Sequence, residues 1–280
     1  MGLEMNRLAF KAALSLAIAG LILGPKKNAE ASTVAEATVR VDILNFSTNS
    51  LLLSNNTTAF TEAIALGDAV ANVNNAASLF QADPVRVQNL TEGISEGWGS
   101  YFLGRTNGTA SATGLFWVED EFSFDFTTQL AVRTAVEQLT QEASAFAELS
   151  FSIFTSETLD GPVTLADSFT LAGFVSSRST EDQLLLESGA NTTLAPLGCP
   201  PEGDSTCITQ SFGGLSEVAA ASVQGRFHQT FEQPTFVALV ENQWSATQVR
   251  VPEPTSSWLL MGMGMMAIAS RRLKQESGML

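Results

Sequence analysis

Lysine is almost missing from this chain. Only Lys11, Lys26, Lys27 and Lys274 occur, all near the two ends. The stretch between them carries scattered arginines such as Arg86, Arg133 and Arg226, and the chain holds 29 acidic residues for a net charge of −15. Such a surface repels phosphate backbones, which excludes nucleic-acid binding. Without a lysine, the central region has no Ser-Lys or Schiff-base chemistry. Histidine is limited to His228, so any Ser-His-Asp or Cys-His centre would have to be built around that one position. No His-rich metal motif and no phosphate-cradling Gly loop is present. No catalytic residue, metal ligand or cofactor is therefore assigned.

Long apolar runs are also lacking, yet two short ones lie at informative places. Arg7 and Lys11 precede an apolar stretch from Ala12 to Leu23, the n-region and h-region of a secretory signal. Ala29-Glu30-Ala31 offers a small-x-small cleavage site and is nearer the h-region than the alternative at Ala35-Glu36-Ala37. A signal peptide over 1–31, read by Sec-type machinery, is expected. The second run, 255–270, carries no charge. As a helix it would cover roughly 24 Å, against a bilayer core of about 30 Å. Arg271 and Arg272 follow at once, and the positive-inside rule puts that end in the cytoplasm. The main domain then lies across the membrane. Ahead of the run, Pro252 and Pro254 hold the chain extended and exposed, a shape that a protease can grip.

Length and charge alone allow a permanent anchor or a temporary one. The order of parts is more specific. Pro252-Glu253-Pro254, a short apolar helix, an Arg cluster and a short stub resemble the tripartite tail of PEP-CTERM proteins. The likeness is confined to 251–280, and its apolar run is rich in Met where Leu and Gly are usual. The resemblance implies processing by an exosortase, a membrane-embedded transpeptidase-like protease, after transient anchoring in the inner membrane. It further implies a cell-surface or extracellular destination, and association with the exopolysaccharide and biofilm systems of Gram-negative bacteria, cyanobacteria included.

Two cysteines, Cys199 and Cys207, enclose Pro-Pro-Glu-Gly-Asp-Ser-Thr. In an oxidising compartment such neighbours pair, and so small a loop gains about 2–3 kcal/mol on the chain-entropy model. A metal or redox pair would want Cys-x-x-Cys spacing or a nearby His, and has neither.

Between the terminal segments about 215 residues remain, enough for one all-β domain or two small domains. Alternation with period two predicts strands. Phe122, Phe124 and Phe126 share a face that continues through Leu130, Val132, Thr134 and Val136, as one long strand or two. Three segments run from small residues into a Phe on one face. They are Ala110-Ala112-Gly114-Phe116, Ala143-Ala145-Ala147-Leu149-Phe151 and Ala219-Ala221-Val223-Gly225-Phe227. Small faces let two sheets approach closely while the Phe end fills the wider part of the core. Further strands are predicted at Val39–Phe46, Thr164–Val175, Gln183–Glu187 and Phe236–Val240. Phe60, Ile64, Val70, Val73, Ala77 and Phe80 fall near helical spacing, which predicts a short helix ending before Asp83-Pro84. The whole reads as a single β-sandwich over 32–250, jelly-roll-like.

Three groups invite chemistry. Glu119, Asp120, Glu121 and Asp125 cluster at the start of the Phe-rich strand, where paired carboxylates could hydrolyse a glycoside or, like the loop bearing Glu202 and Asp204, bind calcium. No known calcium-loop spacing is present, and a solvated strand entrance is the commoner use of such acids. His228 falls on a strand face opposite Phe227, toward solvent. Trp98, Tyr101, Trp117 and Trp244 are candidate glycan contacts, with core packing as the alternative. The expected protein is a non-enzymatic surface or matrix component. A carbohydrate-binding module and a secreted glycoside hydrolase are the rivals.

Overall fold

The computed structural model describes residues 32–65, 69–99, 101–195 and 207–251. The expected signal segment and sorting tail, with Pro252, Glu253, Pro254, Arg271 and Arg272, lie outside the described residues, as does Cys199. Among the described residues there is no helix long and apolar enough to cross a membrane.

Those residues form thirteen strands. They are β1 (Ser32–Leu44), β2 (Ser50–Ala65), β3 (Ala69–Ala82), β4 (Val85–Trp98), β5 (Phe102–Val118), β6 (Glu121–Ala135), β7 (Glu142–Ser156), β8 (Thr164–Ser176), β9 (Gln183–Ser188), β10 (Thr192–Ala195), β11 (Cys207–Ser211), β12 (Ser216–Thr230) and β13 (Thr235–Val251). One antiparallel sheet, sheet A, has the order β10-β12-β6-β1-β4-β3, with β11 also on the edge of β12. The other, sheet B, runs β2-β5-β13-β7-β8-β9. The two pack as a sandwich. The chain crosses between sheets at most connections, as in a jelly roll. The β3–β4 hairpin and the β7–β8–β9 meander each stay within one sheet.

The alternating burial of nearly every central strand explains the layering. In β1 the inward row is Thr33, Ala35, Ala37, Val39, Val41 and Ile43. β6 is one continuous strand whose Phe122, Phe124 and Phe126 are fully buried. They meet Phe116, Phe151, Phe169 and Phe227 from the neighbouring strands and the facing sheet. Phe124 stacks on Phe227 at 5.3 Å, Phe151 on Phe169 at 5.0 Å, and Phe126 meets Phe151 edge-on at 5.0 Å. Such contacts each add about 0.5–1.5 kcal/mol beyond burial. The three small-to-Phe rows predicted from the sequence all face this interior, in β5, β7 and β12. Gly225 shows why smallness is needed, because a Cβ there would stand 2.3 Å from Phe126 Cζ.

Away from the Phe cluster the interior turns polar. Asn89, Thr91 and Ser95 of β4 face Glu241, Gln243, Ser245 and Thr247 of β13, all buried, with Thr106 of β5 among them. Thr247 Oγ1 lies 2.7 Å from both Ser95 Oγ and Thr106 Oγ1. Gly93 keeps that approach possible, since a Cβ on it would come 2.3 Å from Thr106 Oγ1.

The helix expected near residues 60–80 is not formed. Residues 50–65 and 69–82 are instead the edge strands β2 and β3. In β3 the half-buried positions are Val70, Asn72, Asn74, Ala76, Ser78 and Phe80, while Val73 and Leu79 are exposed. Polar residues thus occupy inward positions and apolar ones face out, which disguises a period of two as a helical spacing. The inward asparagines have partners in β2 and β5 of the facing sheet. Asn72 Nδ2 donates to Glu62 O, and Asn74 Nδ2 donates to Phe60 O at 2.8 Å and to Asn107 O at 2.6 Å. Asn55 Nδ2 returns a bond to Ser78 O at 3.1 Å. These side chains cap carbonyls that an edge strand otherwise exposes.

Candidate functional site

The acidic cluster sits at the turn between β5 and β6 and along the start of β6. Asp125 accepts from Asn45 Nδ2 at 2.7 Å and lies 3.9 Å from the Arg226 guanidinium. His228 is exposed on β12, and its Nε2 stands 3.3 Å from Glu121 Oε2. This is an open strand surface on which Glu121 and Asp125 each have a partner. Among the described residues no three His, Cys, Asp or Glu side chains group so as to hold a metal ion.

The four aromatic candidates separate. Trp98 closes β4 and is half-buried; Tyr101, also half-buried, lies in the crossover to β5. Trp117 and Trp244 are both on the outer face of sheet B, 37% and 44% exposed. Trp117 packs on Phe236 with ring centroids 4.6 Å apart. Trp244 packs edge-on against Phe146 at 4.8 Å, and its Nε1–H donates to Asn107 Oδ1 at 3.2 Å. The pairing of Trp117 with Phe236 puts the two tryptophans eight residues apart along β13, about 27 Å.

The Trp244 end has a concavity beside it. An open groove of about 370 Å³ is floored by Ala246 and flanked by Phe60, Phe146 and Phe174. That volume falls within the roughly 300–1,000 Å³ of ligand pockets. Phe60 is 59% exposed, held on edge strand β2. Beside the aromatics, Arg105 Nε donates to Gln248 Oε1 at 3.1 Å, and Arg105 Nη1 lies 3.6 Å from Glu62 Oε2. Trp244 stands out in the sequence as a candidate contact, whereas Phe60, Phe146 and Phe174 do not. Their alignment depends on cross-strand register, which a single sequence does not show.

Glu241 is fully buried, and burial pushes its carboxyl up to about 8, with hydrogen bonds from Asn89 and Gln243 opposing. Asn89 Nδ2 donates to Glu241 Oε2, while Gln243 Nε2 donates to Asn89 O at 3.3 Å. Glu241 Oε1, Asn89 Oδ1 and Gln243 Oε1 have no hydrogen-bond partner in the described protein. These unpartnered atoms are all acceptors, and a proton on Glu241 brings a donor among them. Its signal in the sequence is parity, since Glu241 shares its phase with Val237 and Leu239.

β13 ends at Val251, and the next residues are the Pro-Glu-Pro. Residues 250–273 match the family model of the PEP-CTERM protein-sorting motif. The chain carries a PEP-CTERM motif. That motif marks an exported protein that an exosortase processes and sorts to the cell surface. The match spans the tail alone, so the sandwich takes no family from it. No curated protein matches the chain. Among solved structures, the crystal structure of the lysenin pore aligns over 74% of this chain and 100% of that one. At 7% identity and a TM-score of 0.09 this likeness carries no argument.

Proposed function

We propose that the processed protein is a non-enzymatic component of the cell surface or of the extracellular polysaccharide matrix in which biofilms are held. The observation that carries this reading is the position of the sorting motif. Its Pro-Glu-Pro begins directly after Val251, the last residue of the core strand β13. A cut there leaves every strand of the sandwich whole. What leaves the membrane is an acidic, lysine-free domain. A Cys199–Cys207 disulfide would suit that oxidising destination. The paired, solvated state of Glu121, Asp125 and His228 favours a structural use of these residues over a catalytic one.

A carbohydrate-binding role is the second reading, favoured by the exposure of Trp117 and Trp244 on one sheet face. Both readings are tested by fractionating the native host into cytosol, membrane, surface polysaccharide and medium. The wild-type protein is expected with the surface polysaccharide. A variant with alanine at Pro252, Glu253 and Pro254 is expected to stay in the membrane fraction. Recovery of the wild type in the membrane, or free in the medium with none on the polysaccharide, would contradict the matrix reading.

A further inference from the structure

We propose that the groove beside Trp244 binds an extended, uncharged polysaccharide chain. Its aromatic side chains take the faces of the pyranose rings, and Arg105, Gln248 and Asn107 take the hydroxyls. This rests on the carbohydrate-binding reading above and names its site and ligand class.

The register of sheet B carries the argument. Phe60, Asn107, Ala246, Phe146 and Phe174 stand side by side across β2, β5, β13, β7 and β8. At about 4.8 Å per strand this row is about 19 Å long. Ala246, the smallest member, makes the dip, and the phenyl rings form its walls. The adjacent row on the same face is Glu62, Arg105, Gln248, Ser144 and Ser176. One row is thus largely aromatic and the next is planar and polar. A pyranose ring has the matching two-sidedness, an apolar C–H face and a rim of hydroxyls. Aromatic faces pack on the first, and a few placed polar groups orient the second. The oxygens of Asn107 and Gln248 accept bonds from Trp244 and Arg105, which leaves their NH2 groups to serve as donors to a ligand. The floor is fixed from beneath, since Asn74 Nδ2 bonds the carbonyls of both Phe60 and Asn107.

Charge selects among sugars. The charged residues lining the groove are Glu62 and Arg105, which pair with each other. The lining itself has no net charge, Glu148 stands opposite Trp244 in the neighbouring row, and this carboxylate and the −15 of the whole chain repel anionic polymers. A second copy of this chain fits less well. Beyond Trp244 the face continues through Asn56, Ser111, Asn242, Ser150 and Thr170 in one cross-strand row. Such a row lacks the apolar centre that a protein interface buries, whereas hydroxyls and amides suit a glycan that runs on along the sheet.

The test is affinity electrophoresis of the protein isolated from its native host. Native gels would contain hydroxyethylcellulose, galactomannan, xylan or the exopolysaccharide extracted from that host. At least one polysaccharide is expected to retard the wild type. Phe60→Ala and Trp244→Ala are each expected to weaken retardation about tenfold. Phe212→Ala, at an exposed aromatic directly after β11 of the other sheet, is expected to leave it unchanged. Trp244→Phe guards against misfolding, because it keeps the packing on Phe146 while removing the blue shift of tryptophan emission expected on adding the retarding glycan. No retardation by any of the four polymers would overturn the proposal. So would retardation that Phe60→Ala and Trp244→Ala leave intact in folded protein, or a groove-dependent dimer in size exclusion with no retardation. If the wild type cofractionates with surface polysaccharide while the groove variants bind as well as it does, this site is wrong and the matrix reading stands.

Discussion

Glu241 is the residue at which burial and ionisation conflict most. Its carboxyl sits near 8 in the folded protein against an ordinary 4.5, because burial disfavours the charged form. Above 4.5 the unfolded chain releases this proton, whereas the folded chain holds it until about 8. The folded state therefore binds more protons in that window, and stability falls as pH rises through it, being full below 4.5. For this group alone the loss is on the order of 4–5 kcal/mol. Glu36 and Glu217 are also raised by burial, so they act in the same direction. Thermal unfolding is expected at a higher temperature at pH 5 than at pH 8. Glu241→Gln, an uncharged isostere, is expected to flatten most of that difference and to be more stable than wild type at pH 8. An unchanged pH profile in the variant would assign the dependence to other groups. At Gly225 the conflict is steric. Gly225→Ala pushes a methyl into the Phe126 ring and is expected to cost about 1–3 kcal/mol, read as a lower Tm.

Among the strands, β2 and β3 have the most to fear from their exposure. They are long edge strands, and an edge invites pairing with another chain. Asn72 and Asn74 cap the β2 carbonyls of Glu62 and Phe60 and tie the two sheets along that seam. Asn74→Ala removes two hydrogen bonds and is expected to cost about 1–3 kcal/mol. Amide exchange should then quicken in β2, and not in β12 at the opposite side of the sandwich. Equal exchange in β2 of both proteins would show that the asparagine does not hold the seam. This seam also marks where the sequence was hard to read. Strands with an apolar inner face, such as β6, β7 and β12, declared themselves by alternation. β4 went unassigned and β13 was cut short at Val240, because Asn89, Thr91, Ser95, Glu241, Gln243 and Thr247 are polar yet face inward. Hydrophobic period cannot reveal a strand whose inner face is polar and pairs across the interior. The candidate groove was hidden for a related reason, since its five-strand row exists only once the register is set.

For the molecule as a whole, the sandwich and the tail divide the work. The last strand of the sandwich, β13, reaches Val251, and the PEP-CTERM motif at 250–273 marks the chain for exosortase processing and sorting. This division was legible in the sequence, because a sorting signal is read as a linear order of parts. A ligand site assembled by register is not read that way. The central claim is that the tail is removed and the sandwich delivered intact. It is tested most directly by mass spectrometry of the C-terminal peptide, on protein from the surface fraction and medium of the native host. The account predicts a terminus near Pro254, with Trp258–Leu280 missing. An intact chain ending at Leu280, recovered in the membrane fraction, would contradict it and make the protein a permanently tethered domain.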